Sequence, residues 1–121
     1  MPEGAAVALT NNESGAVLGV LCLKASTCAI YFSDGVGCQQ GEQYSMLANT
    51  EDGAIAVTAR CKAMGDSHLL WLDPYADIMR AMLQKHWISI AKPIKGGQFK
   101  TSKFSLAGCP EALDVLHRDV T

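Results

Sequence analysis

Apolar positions fall into short blocks in the first half of the chain. Ala5–Leu9 is an apolar run that ends at the turn-forming cluster Asn11-Asn12-Glu13-Ser14-Gly15. Ala16–Leu23 is nearly continuous in apolar residues and of strand length, the pattern of a strand buried on both faces or set in a sandwich core. Thr27–Phe32 is rich in β-branched and aromatic types, and Ser33–Gln43, with three glycines, reads as a loop. Tyr44–Asn49 is a further short strand. Asp52-Gly53 is a tight hairpin signal. In Ala54–Cys61, Ile55, Val57 and Ala59 alternate with Ala56, Thr58 and Arg60, which is the period of a strand with one buried face.

The period changes after Leu69–Leu72, a short strand that follows a loop at Lys62–His68. Asp73-Pro74 supplies an N-cap and a proline suited to a first helical turn. Tyr75, Ile78, Met79, Met82 and Leu83 then recur at helical spacing, so Pro74 to Lys85 is expected as an amphipathic helix with the methionines in its core stripe. Trp87–Ala91 and Phe99–Leu106 are strand-like around a turn at Lys95-Gly96-Gly97-Gln98. Pro110–His117 is expected as a second short helix. Seven or eight short strands with two helices predict a mainly β chain, a β-sandwich or barrel, in a single domain over residues 1–121. Hydrophobic residues are 49% of the 121, enough for a real core. No apolar run reaches the length of a transmembrane helix.

The C-terminal segment carries a resemblance. A helix over Asp77–His86 leads to a strand over Trp87–Ala91, the glycine turn Gly96-Gly97, a second strand, and the segment running from Ser105 to Leu113. Ser105, Leu106, Gly108, Ala112 and Leu113 match the Ser-Leu-x-Gly-x-x-x-Ala-Leu pattern that opens the last helix of the invasion-associated locus B family of bacterial envelope proteins. The chain resembles that family from about Asp77 to Leu116. Cys109 departs from it, standing where the family usually has an aromatic residue. The resemblance implies an immunoglobulin-like β-sandwich, a periplasmic or secreted setting, and Cys109 as a buried apolar substitute and the unpaired cysteine. That family offers no established catalytic residues to carry over.

Five cysteines bear on the compartment. Cys22 and Cys28 flank the short connection 23–27, where a hairpin would set them opposite each other, and Cys38 and Cys61 would then form a second pair. Four cysteines allow three connectivities, and five buried thiols in a cytosolic protein is the competing reading. The C-x₂₋₄-C and H-x₃₋₅-H spacings of structural zinc sites are missing, and no metal or cofactor is expected. Met1-Pro2-Glu3-Gly4 lacks the basic and apolar regions of a signal peptide, so an envelope protein requires a leader already removed.

Candidate chemistry is sparse. His68 beside Asp66 and Ser67 could serve a small hydrolase, but sequence neighbours rarely form a triad and no G-x-S-x-G elbow is present. His86 fits a helix C-terminus. His117 with Asp114 and Asp119 reads as a solvated terminus, Glu51 and Asp52 as turn residues, and Gly35-Val36-Gly37 lacks the remainder of a nucleotide-binding fingerprint.

Charge is unevenly distributed. Residues 1–79 carry net −6, residues 80–110 carry +6 with no acid, and residues 111–121 carry −2. Lys92, Lys95, Lys100 and Lys103, interleaved with Trp87, Phe99 and Phe104, form a possible surface for an anionic partner. Odd spacing within each pair puts Lys92 and Lys95, and likewise Lys100 and Lys103, on opposite faces of a regular strand. That split argues against nucleic acid and for scattered charge guarding edge strands. The expectation is a non-enzymatic envelope module binding an unknown protein or surface ligand. Its alternatives are a cytosolic accessory or mobile-element-encoded protein and a hydrolase built on His68.

Overall fold

A computed structural model describes residues 5–11, 15–23, 27–34, 38–64 and 67–119. Among the described residues, eight strands form one antiparallel sheet: β1 (Ala5–Asn11), β2 (Val17–Leu23), β3 (Thr27–Ser33), β4 (Gln43–Thr50), β5 (Gly53–Met64), β6 (Ser67–Asp73), β7 (Trp87–Pro93) and β8 (Phe99–Ser105). Helix α1 (Tyr75–Gln84) joins β6 to β7, and α2 (Cys109–Asp119) follows β8. The spatial order is β1-β2-β3-β6-β5-β4-β7-β8.

The alternation read from the sequence sets which face is buried. Leu18 and Val20 in β2, Ile30 and Phe32 in β3, Met46 and Ala48 in β4, and Val57, Ala59 and Cys61 in β5 all fall on one face. Leu70 and Leu72, Ile88 and Ile90, and Phe104 continue it. Phe32 and Phe104 meet edge-to-face with ring centroids 6.1 Å apart. Their strands lie five steps apart in the sheet, which would separate them by roughly 24 Å if it were flat. The sheet is therefore curled around its own side chains into a half-barrel, and the two edge strands β1 and β8 come back toward each other. The mainly β fold with two short helices matches expectation, and of sandwich and barrel the architecture takes the barrel side.

The helices close one end of this curl. Ile78, Met79, Ala81 and Met82 of α1 are buried, as is Leu113 of α2, and α2 packs on β1 and α1. The opposite end carries the β7–β8 turn and the β3–β4 connection.

The outer face is not uniformly solvated. Gly19, Tyr31 and Trp71 stand in register across β2, β3 and β6. The Tyr31 ring lies over Gly19, where an added Cβ would meet it at 2.5 Å, and its centroid is 5.9 Å from that of Trp71. This glycine is a seat for an aromatic ring in mid-strand.

Three local expectations change. The 62–68 segment is mostly strand, because β5 pairs with β6 out to Met64↔Ser67 and so carries Lys62, Ala63 and His68. Helix α1 starts at Tyr75: Pro74 is extended and caps it through its carbonyl, which accepts from the Ile78 amide, while Asp73 ends β6. The helix ends at Gln84, so His86 lies past it. The turn clusters at 12–14 and 24–26, the Gly35–Gly37 stretch, Asp66 and the N-terminal tetrapeptide lie outside the described residues. So do the side chains of Ser67, Lys95 and His117.

Candidate functional site

The end of the half-barrel away from the helices holds its buried charge. Lys92 follows Ile88 and Ile90 on the inward face of β7, and Asp34 follows Ile30 and Phe32 just past β3. Each residue is only 7% exposed, and Lys92 Nζ donates to Asp34 Oδ2 at 3.1 Å. The same ammonium lies 5.8 Å from the Tyr44 ring centroid. Burial pushes the Tyr44 hydroxyl above its ordinary pKa, and its hydrogen bond with Glu42 and the charges of Glu42 and Asp34 add to that. Lys100, the register partner of Lys92, places Nζ 3.5 Å from the Asp34 carbonyl oxygen. A bond between Cys38 and Cys61 ties the segment after Asp34 to the inner face of β5. The second bond joins Cys22 and Cys28, which are register partners in β2 and β3. Both pairs are those proposed from spacing.

The four lysines considered for an anionic partner do not make one patch. Lys92 is buried, and its charge is taken up by Asp34, so it cannot meet a partner. Lys100 is exposed on the inward side of β8, and Lys103 sits on the outward side over the Trp87 ring at 4.5 Å. Lys95 belongs to a 3-10 turn, Lys95–Gly97, at the hairpin tip. His68 is an exposed strand residue, two positions from Leu70 on the inward face. Phe32 pairs with Leu70, so His68 and Asp34 both lie two positions beyond that pair. Asp34 is already engaged by Lys92. Cys109 is free and half-buried, and burial, aided by Glu111, raises its thiol pKa. Among the described residues no group of three or more His, Cys, Asp or Glu could hold a metal ion. No helix among them is long and apolar enough to cross a membrane.

At the helical end, sequence reasoning gave Glu51 and Asp52 only a turn role. They also clamp the chain leaving α1: Glu51 accepts from the backbone and ring of His86, and Asp52 pairs with Lys85. The helix-dipole role expected for His86 gives way to this contact, because the helix stops two residues before it. A shallow groove between the turn and α1 is lined by Thr50, Asp52, Asp77, Arg80 and Lys85, with Asp77 and Arg80 paired at 3.6 Å.

The His86 contacts hold the Glu51 carboxyl down at about 2 from an ordinary 4.5. A depressed carboxylate adds stability that is present above pH 4.5 and is lost as pH falls through about 2. Glu51→Gln should therefore lower the urea midpoint at pH 7. The gap to the unmodified protein should narrow between pH 4.5 and 2, and a gap that is constant across that range would exclude the clamp as its source.

Compared with protein-family models, with curated proteins and with solved structures, the chain matches none.

Proposed function

We propose that this chain is a small extracytoplasmic domain of the bacterial envelope that acts by binding a partner at its surface. The observation that carries the reading is the pair of disulfides, Cys22–Cys28 and Cys38–Cys61. Such bonds persist in oxidising compartments and are reduced in the cytosol. The resemblance of the Asp77–Leu116 segment to the invasion-associated locus B family points the same way. The charges buried in the interior, Asp34 and Lys92, pair with each other, which leaves them out of reach of a partner. Recognition then falls to the exposed strands and turns.

Alkylation followed by intact-mass measurement tests this. Protein produced behind an export leader should show one reactive thiol, on Cys109, and five after reduction. Five reactive thiols in exported, unreduced protein would reject the envelope reading and favour a cytosolic accessory protein.

A further inference from the structure

Among the described residues, Asp34 and Lys92 are the charged residues that are buried, and they face each other. Lys92 Nζ lies 3.1 Å from Asp34 Oδ2, and the two side chains are 8% and 2% exposed. At that burial neither charge keeps the solvent shell it would have at a surface. The surroundings are apolar. Asp34 follows Ile30 and Phe32, Lys92 follows Ile88 and Ile90, and the Tyr44 ring centroid is 5.8 Å from the ammonium. Lys100 also reaches Asp34, but at its main-chain carbonyl, 3.5 Å away, and not at its carboxyl.

An amine and a carboxyl held in this way are the two halves of an amide. One proton passed along their hydrogen bond turns the ammonium and carboxylate into a neutral amine and a neutral carboxylic acid. The Nζ lone pair then attacks Asp34 Cγ, one bond beyond Oδ2, and the C–N bond forms. The C–OH bond breaks, and the hydroxyl leaves as water with a second Nζ proton. Atoms and charge balance with no oxidant and no outside reactant. In free solution such a condensation is opposed by the cost of bringing the groups together and of neutralising two solvated ions. The fold has already met the first cost, since groups fixed within reach attain effective molarities of roughly 10⁵–10⁸ M. Burial removes the second, because a neutral amide relieves the interior of two ions.

We infer that Lys92 and Asp34 condense after folding into an intramolecular isopeptide bond. The ion pair is what a newly folded chain carries, and the linked chain follows from it. The link ties the end of β3 to β7. Neither disulfide connects those parts of the sheet, since one lies within β2 and β3 and the other joins Cys38 to β5. The inference goes beyond the envelope reading and needs no oxidising compartment, so the two fail separately.

Mass spectrometry of the purified, fully reduced chain tests it. After incubation in the folded state at neutral pH, the intact mass should fall below the sequence mass by one water molecule. Trypsin should then release a branched species in which residues 25–60, holding Asp34, are joined to residues 86–95, holding Lys92. Chain kept in urea throughout should stay at its sequence mass, and so should the Lys92→Met and Asp34→Ala variants. The branched peptide is the deciding signal, because Asp34 and Asp52 each precede a glycine and an aspartyl-glycine pair can lose water within its own backbone. A folded chain that holds its full sequence mass would overturn the inference. So would loss of water without the branched peptide, or a branch to residues 96–100, which hold Lys100.

Discussion

Lys92→Met is expected to lower folding stability by about 3 kcal/mol, the scale for removing one partner of a buried ion pair. Methionine nearly matches lysine in volume, so little of the loss comes from packing. The cost lies with Asp34, whose side chain is 2% exposed and would keep its charge in the interior without the ammonium that compensates it. Lys100 already reaches the Asp34 carbonyl and can offset part of the charge, which sets the effect at the lower end of the range of about 3–5 kcal/mol. Adding Asp34→Asn to Lys92→Met should recover a good part of the stability, because an amide costs far less to bury than a carboxylate. Urea titration of the single and double variants decides the matter. A double variant less stable than Lys92→Met alone would show that Asp34 does not act through Lys92.

Removing the Cys38–Cys61 bond by double alanine substitution should cost about 3 kcal/mol, from the freedom returned to the unfolded chain. Removing Cys22–Cys28 should cost less, about 2 kcal/mol, because it closes a much shorter loop. The sequence separations are 23 and 6. Thermal and urea unfolding of the two alanine pairs should rank in that order. The reverse ranking would mean that native-state contacts at the short bond, and not loop closure, dominate.

The strands, both helices and the inward face were legible because each rests on periodicity within a single element. Ile55, Val57 and Ala59 announce their face with no knowledge of the neighbouring strand. The cysteine pairing was legible as a proposal for a similar reason, since a short connection between Cys22 and Cys28 brings the two strands together. What escaped depends on contacts between distant segments. Asp34 and Lys92 are separated by 58 residues, and Glu51 and His86 by 35. One trace of the first pair is in the sequence. Lys92 continues the parity of Ile88 and Ile90, and Asp34 continues that of Ile30 and Phe32, so each is a charge at a position where the pattern calls for an apolar residue. The β5–β6 hairpin runs past its apolar pattern because Lys62 and His68 are polar, and paired strands tolerate polar residues on exposed stretches.

The register of the sheet divides the chain into two pieces. Within β1–β3, and within the run from β4 to β6, each ladder joins seven or eight residue pairs, as does that of β7 and β8, but β3 meets β6 through only three. Cys22–Cys28 lies within the first piece. Cys38–Cys61 fastens the connection ahead of β4 to β5, within the second. Neither disulfide spans that narrow seam. Mechanically, the molecule is two internally riveted panels whose assembly leans on the side chains between them, Phe32 against Phe104 foremost. Under load or denaturant the panels can part at the β3–β6 seam while both bonds stay intact.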